Sequence, residues 1–487
     1  MALPDEIFRS KRATAAEQLH MNPTRKLTTG ARIDPAEYTP CFSYQPERSK
    51  PGRQILCCED VAVDKIAKDA ATPAYVYSGG AIEAAYRRLD RAFGALPHEI
   101  CYAVKANSNL AILKLLAKLG SSFDIVSGGE LDRLRRIGVD GNRIVFSGVG
   151  KTRDEMREAL KYQASGKRGS KAGIFIFNIE SEAELQALIE EAARHVKSGG
   201  QRPSAAIRIN PDVAAGGHKH ISTGKYHHKF GVDWETARRL YLAHKDSPWI
   251  SWRGISAHLG SQILTATPYR AGLERLSAHV RELAAYGIAL ETVDIGGGLG
   301  IRYTDEKPLD LAEYARTLSR IARGLKCKLL IEPGRWLVGP AGILLTKVIY
   351  VKKNRGKTFV IVDAAMNDLI RPVLYEAEHP ITPALRHAPV PHKGRHKGSA
   401  AAQEIVDVVG PVCESGDFLA QNYPLEAVQT GDLLVIWAAG AYGFVESSNY
   451  NARRRAAEVL VEGKRFRVVR RRETYGDLVR GEIDAAK

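Results

Sequence analysis

Cysteine is scarce in this chain: six residues in 487, with no Cys-x-x-Cys pair. That excludes a disulfide scaffold and predicts a reducing compartment. Long apolar runs are also lacking. The longest, Leu433 to Val445, has 13 residues and contains Gly440 and Gly443, short of the about 20 that a membrane-spanning helix needs. The opening MALPDEIFRSKR places Asp5 and Glu6 where a secretory leader requires an apolar stretch. No bias toward disorder or fibre is present either, since 44 % hydrophobic and 26 % charged residues are ordinary for a globular protein. These absences predict a soluble cytoplasmic protein of two to four domains, or one large barrel with a smaller companion.

What is present is a repeated unit. After residues 1–40, which read as a poorly ordered extension, eight short aliphatic runs appear: CYAVKA (101–106), SFDIVS (122–127), RIVFSG (143–148), IFIFNI (174–179), AAIRIN (205–210), GISAHLG (254–260), TVDIGGG (292–298) and LLIEPG (329–334). Segments such as NLAILKLLAKLG (109–120) and SEAELQALIEEAARHV (181–196) lie between them, with apolar residues at three- and four-residue steps. Eight strand–helix units in succession predict a (β/α)8 barrel over residues 81–340, with a doubly wound sheet as the alternative. From 341 to 487 the pattern is strand-rich: 343–353, 358–365, 404–410, 432–440 and 458–470. It predicts a β-rich second domain to which residues 41–80 contribute. Residues 381–399, rich in Pro, Gly, His and basic side chains, read as a surface loop.

Polar residues collect where these strands end: Lys105, Asp124 with Ser127, Ser147, Asn178, Asn210, His258, Gly296-Gly297-Gly298, and Glu332 with Arg335. In a barrel these ends share the face that carries catalysis. Lys105 lies within an apolar run, where it must snorkel, bury its ammonium or react. Burial lowers lysine basicity and favours nucleophilic attack on a carbonyl. The glycine run suits an anion approached by backbone N–H groups, or is only a tight turn. Glu332 and Arg335 are an ion pair, or hold a ring nitrogen and an oxyanion. His258 could equally be a core histidine. Cys413, within Cys-Glu-Ser-Gly-Asp, is a small buried residue or a proton donor in a polar pocket.

Nine motifs in order, YAVKANSN, FDIVSGGEL, ISTGKYHHKFGV, HLGSQ, DIGGGLG, EPGR, MNDLIRPVLYEAEH, GPVCESGD and AYGFVESSNYNARRRAAEVLV, span roughly residues 55–465. With them the chain resembles the diaminopimelate decarboxylases, fold-type III enzymes dependent on pyridoxal 5′-phosphate. The resemblance implies an alanine racemase-like barrel plus β-domain. It implies covalent attachment of the cofactor at Lys105, with Asp124 also at the cofactor, His258 stacked on its ring and Glu332 at the ring nitrogen. The phosphate is expected at Gly296, Gly297 and Gly298, near Ser261, Gly334, Arg335 and Tyr442. Arg335, Arg371, Tyr375 and Tyr442 match substrate-binding positions, Cys413 the general acid, and Glu414 the reader of the distal amino group. A homodimer with shared sites is implied as well, and no metal is expected. The family core lacks the N-terminal extension, and the 381–399 loop looks longer than the family needs.

Ornithine, arginine or a D-amino acid are the alternative substrates. A racemase would need a second acid/base that no motif matches, and a non-catalytic binder would lack Lys105 or Cys413. Charge raises a nucleic-acid or membrane rival: 71 basic against 55 acidic residues leave +16. Residues 1–53, 386–397 and 451–487 hold +12 of this, so the barrel strands lie in the remaining 385 residues that carry only +4. No recognition motif accompanies it. The expectation is basic solvated surface, with the 381–399 loop helping to draw an anionic substrate inward.

Overall fold

The computed structural model describes residues 34–47, 51–165, 173–213, 229–387 and 403–483. Eight parallel strands close a barrel: β1 (His98–Ala103), β2 (Ser122–Ile125), β3 (Ile144–Phe146), β4 (Ile176–Ile179), β5 (Ser204–Arg208), β6 (Ser251–Ser256), β7 (Thr292–Asp294) and β8 (Lys328–Ile331). The ring closes where Leu329, Leu330 and Ile331 pair with His98, Glu99 and Ile100. Strands covered on both faces need apolar residues at consecutive positions. Cys101, Val145, Ile176, Ala206 and Leu330 form a buried interior cluster, while Ile100, Tyr102, Phe123 and Phe146 belong to the core shared with the surrounding helices.

The helices follow from capping and pattern. Ser127, Thr152, Ser181, Asp233 and Asp310 each accept a first-turn N–H at the start of the helices Gly128–Arg136, Arg153–Leu160, Glu182–Lys197, Trp234–Ala243 and Leu311–Ala322. β8 is followed by only one turn, Arg335–Val338. The helix Gly79–Phe93, which precedes β1, packs against that turn, against Leu311–Ala322 and against Leu110–Leu119. It takes the place of the eighth outer helix.

The second domain is mostly strand. Its larger sheet runs in the order Phe418–Glu426, Gln403–Val409, Lys357–Val362, Gly342–Asn354, Ala74–Ser78, Ala457–Glu462, Arg465–Arg470. Gly342–Asn354 is the spine: its first residues pair with Ala74–Tyr77 and its last with Lys357–Val362. Leu433–Ile436 joins the same spine. A smaller sheet holds Phe42–Pro46, Arg53–Cys58 and Leu385–His387. Phe42, Leu56, Val76, Ile343, Val435, Trp437 and Val459 bury the space between them.

Several sequence expectations change. Residues 458–470 are a hairpin folded at Gly463 rather than one strand. Phe418–Glu426 is a strand that the sequence pattern did not reveal. Within the expected 381–399 loop, Ile381–Pro383 and Leu385–His387 are paired strands, and residues 388–399 lie outside the described residues. So do residues 1–33 of the expected extension, whereas Pro35–Tyr38 forms a turn capped by Asp34. The Tyr38 hydroxyl donates to the Tyr303 carbonyl at 2.9 Å. The basic C-terminal stretch is largely paired: Arg470 with Glu458 at 2.5 Å, Arg467 with Glu462 at 3.4 Å, and Arg455 with Glu473.

Candidate active site

Every strand-end residue singled out above lies on the C-terminal face or within the first residues past it. β1 passes into a single 3-10 turn, Val104–Ala106, which carries Lys105 beyond the strand rather than inside it. Lys105 Nζ donates to Oδ2 of Asp124 at 2.9 Å; the lysine side chain is 35 % exposed and that of Asp124 fully buried. Burial pulls the Lys105 pKa down, but Asp124, Glu332 and Tyr442 outweigh it, and the value ends above that of an ordinary lysine. The expectation of a lysine made less basic by burial is therefore corrected, because two carboxylates stand beside it. Burial and the Glu332 charge push Asp124 up to about 6, against the pull of Lys105.

Asp294 ends β7 and Glu332 follows β8, both buried. Burial opposes ionisation of Glu332, yet His258 and Lys105 hold it down at about 2. Burial and the charge on Glu332 push Asp294 the other way, well above the carboxylate range. The negative charge thus rests on Glu332 and the shared proton on Asp294. His258 lies two residues past β6, and burial lowers its pKa against the pull of Glu332. Its Nδ1 accepts from Gly297 N at 3.3 Å and lies 3.7 Å from Glu332 Oε2.

The glycine turn after β7 is pressed against its neighbours. Gly296 and Gly298 adopt left-handed φ values of 73° and 87°. A Cβ on Gly297 would stand 2.1 Å from the Glu332 carbonyl oxygen, and one on Gly298 2.3 Å from that of Gly260. The N–H groups of Gly296 and Gly297 donate to Asp294 Oδ1 at 2.8 Å and to His258 Nδ1. This narrows the expectation of three amides facing an anion, since two are spent inside the protein.

Above the glycine turn lies a basic cluster. Arg335 donates to Tyr303 Oη and, at 3.1 Å, to Ser261 Oγ. Arg371, from the turn Arg371–Tyr375, donates to Tyr303 Oη at 3.4 Å and to His379 Nε2 at 3.3 Å. Both guanidiniums are buried. The Tyr442 ring lies 4.9 Å from Arg335 and 6.0 Å from Arg371, and the Tyr375 ring 5.7 Å from Arg371. A Cβ on Gly334 would meet the Tyr442 hydroxyl at 3.4 Å. The second domain is tied to the barrel here: Tyr442 N donates to Ala106 O at 2.9 Å, and Asn107 Nδ2 to Gly440 O at 3.0 Å.

Lys105, Asp124, His258, Ser261, Gly296–Gly298, Glu332, Gly334, Arg335, Arg371, Tyr375 and Tyr442 are thus brought to one region. Cys413 and Glu414 are not. Both are exposed on the turn after Gln403–Val409, where Cys413 N donates to Asn451 Oδ1 at 2.9 Å and Glu414 faces Tyr450. Among the described residues, no hydrogen bond or ion pair joins them to the barrel. Sequence reasoning missed Tyr303, Asp294 and His379. Asp294 could have been found from its place as the last residue of an apolar strand, directly before the glycine run. Most of the ISTGKYHHKFGV motif, residues 221–228, lies outside the described residues.

The residues fit pyridoxal phosphate on two structural counts. Asp124 Oδ1 is buried with no hydrogen-bond partner among the described residues, and the Lys105 amine stands beside Asp124 and in the field of the buried Glu332 carboxylate. The comparisons agree. Residues 79–339 match the family model described as "Pyridoxal-dependent decarboxylase, pyridoxal binding domain". Diaminopimelate decarboxylase of Pseudomonas fluorescens is 46 % identical over 427 residues, covering 88 % of this chain and 96 % of that protein. The crystal structure of the Helicobacter pylori enzyme complexed with L-lysine is 38 % identical, with TM-score 0.77, covering 86 % and 98 % of the two chains. That from M. jannaschii, also with L-lysine, is 34 % identical with TM-score 0.80, covering 91 % and 98 %. The chain belongs to the diaminopimelate decarboxylase family of pyridoxal-dependent decarboxylases.

Proposed function

We propose that this protein decarboxylates meso-2,6-diaminopimelate to L-lysine and CO2 with pyridoxal 5′-phosphate. The observation that carries the choice of substrate is the Arg335–Tyr303–Arg371 cluster. Two buried guanidiniums meet on one phenol oxygen, and among the described residues neither forms an ion pair. Buried cations require compensation; Glu446 lies in the field of both and supplies part of it, and a second carboxylate on the substrate supplies the rest. Ornithine, which has no carboxylate beyond the one it loses, would leave that part unanswered.

When bound, pyridoxal phosphate supplies an electron sink for the pair left at Cα as CO2 departs. The chain's own residues set the stage. Lys105 would hold the cofactor covalently through its amine, and the Asp124 carboxylate, 2.9 Å from that amine, would orient it. Glu332, held low in pKa by its surroundings, would keep a proton on the ring nitrogen, with Asp294 beside it. His258 would stack on the ring, and Gly298, Ser261, Gly334 and Tyr442 would receive the phosphate. Arg371, Arg335 and Tyr375 hold the carboxylate that is kept, which leaves the other one to depart.

The proton that replaces CO2 at Cα comes from the Cys413 thiol, and the cysteine recovers it from solvent. Cys413 and Glu414 stand apart from Lys105 in their own chain, so a second copy supplies them and the working unit is a homodimer. Glu414 of that copy reads the distal amino group. We place the enzyme in the cytoplasm, which its six unpaired cysteines support. Among the described residues no helix is long and apolar enough to cross a membrane.

The test is CO2 release from meso-diaminopimelate, lysine, ornithine and arginine under identical conditions. Diaminopimelate should be turned over fastest. Faster release from any of the other three overturns the assignment.

A further inference from the structure

We propose that His379 is a positioning residue for recognition of the retained carboxylate, acting through Arg371. The proposal rests on the role given above to the arginine pair. His379 lies between the Arg371–Tyr375 turn and the strand Ile381–Pro383 and is 2 % exposed. Its Nδ1 donates to the Trp437 carbonyl at 2.8 Å. That bond fixes the tautomer, with the proton on Nδ1 and a lone pair on Nε2. Nε2 accepts from Arg371 Nε at 3.3 Å. The imidazole also meets the Tyr303 ring edge-on, with centroids 5.2 Å apart and planes at 81°. Tyr303 Oη takes a second N–H of the same guanidinium at 3.4 Å.

A guanidinium offers five N–H donors in a rigid fork. His379 and Tyr303 each hold one, on different nitrogens, and this fixes both the plane and the rotation of the group. The remaining donors then point in one direction, as two-pronged capture of a carboxylate demands. The groups facing His379 are the Arg371 and Arg335 cations, the Trp437 carbonyl and the Tyr303 ring. Burial and the two cations push its pKa down to about 3, so the lone pair persists at neutral pH. With no acceptor at this position the buried Arg371 Nε–H would lose its partner, which a buried donor does not tolerate without penalty. The freed guanidinium would then turn toward Glu446, whose buried Oε2 has no hydrogen-bond partner among the described residues.

The experiment compares His379→Leu, which removes the acceptor, with His379→Gln, which returns an oxygen near the Nε2 position, in holoenzymes of equal cofactor content. Steady-state kinetics with meso-diaminopimelate are measured beside inhibition by L-lysine, which keeps the carboxylate, and by cadaverine, which has none. His379→Leu should raise KM for diaminopimelate and Ki for L-lysine by about tenfold each, equivalent to about 1.4 kcal/mol. The cadaverine Ki should stay within about twofold, and kcat within about threefold. His379→Gln should recover most of the loss. Cadaverine weakened as much as lysine, a fall in kcat at unchanged KM, or a glutamine variant as impaired as leucine overturns the proposal. If His379→Leu proves insoluble, His379→Phe keeps the ring against Tyr303 and reads the same contrast. A wild-type enzyme that releases no CO2 from diaminopimelate would instead refute the substrate assignment.

Discussion

Replacing Gly297 with alanine tests whether the glycine turn is built by steric necessity. The added methyl carbon would sit 2.1 Å from the Glu332 carbonyl oxygen and 3.0 Å from its carbonyl carbon. Ordinary contact starts about 3.4 Å apart, so something must move by more than 1 Å. The obstacle is backbone, and that backbone is tied to the turn itself, because Glu332 N donates to Gly296 O at 3.0 Å. Relief therefore displaces either the glycine loop or the Glu332 carboxylate, the two features assigned to opposite ends of the cofactor. Overpacking of this kind costs typically about 1–3 kcal/mol. Expressed as lost affinity, that is roughly ten- to hundredfold. Titrating apoenzyme with pyridoxal phosphate and following its absorbance measures the change. Gly150→Ala is the control, since a Cβ there meets nothing within 4 Å, and its Kd should match wild type. A Gly297→Ala enzyme that binds the cofactor within threefold of wild type would refute the reasoning.

Lys105→Ala should remove the visible absorbance of the covalently held cofactor and abolish turnover; an unchanged spectrum would sink the assignment of the amine. Cys413→Ala should lower kcat by roughly 10²–10⁴ while retaining the cofactor, and mixing it with Lys105→Ala enzyme should restore part of the activity if sites are shared between copies, as turnover assays of the mixture would report. Asp368 is buried with Oδ1 unpartnered among the described residues, and burial pushes its pKa up to about 7. Its protonated form is the one the fold prefers, so its contribution to stability is full below about pH 4 and is lost as pH rises through about 7. Asp368→Asn should consequently be about 1–3 kcal/mol more stable than wild type at pH 8 and nearly equal at pH 4, and calorimetry showing the same difference at both pH values would contradict this.

The barrel was legible because its strands are enclosed on both faces and must therefore be aliphatic for their whole length. The same property blurred where they stop. CYAVKA and GISAHLG stay apolar past the last paired residue, so Lys105 and His258 sit on loops rather than strands. Phe418–Glu426 escaped notice because it exposes Gln421 and Asn422 and carries Pro424. The hairpin at Gly463 was hidden by arms of similar texture on either side of a two-residue turn. Within the site, carboxylates, the lysine and the glycine run announced themselves by standing at strand ends. Tyr303 and His379 did not. Each contributes only acceptor lone pairs from a loop, and nothing in composition or spacing separates such a residue from its neighbours. Cys413 and Glu414 were legible only as a motif, and in their own chain they are exposed on a turn away from the barrel site.

The strand Ala74–Ser78 is made before the barrel, yet the strands that flank it, Gly342–Asn354 and Ala457–Glu462, are made after it. Tyr77 pairs with Gly342, 265 positions later. At ribosomal rates of about 5–20 residues per second, that interval is roughly ten seconds to a minute. For all of that time Ala-Tyr-Val-Tyr-Ser, buried in the finished protein, has neither edge covered, the condition under which apolar strands pair with strangers. A chain interrupted after residue 340 would carry a finished barrel with this strand permanently unclaimed. Partial synthesis of this enzyme should thus be more hazardous than its absence, and soluble expression of the barrel alone should require removal of the first 78 residues together with the last 147.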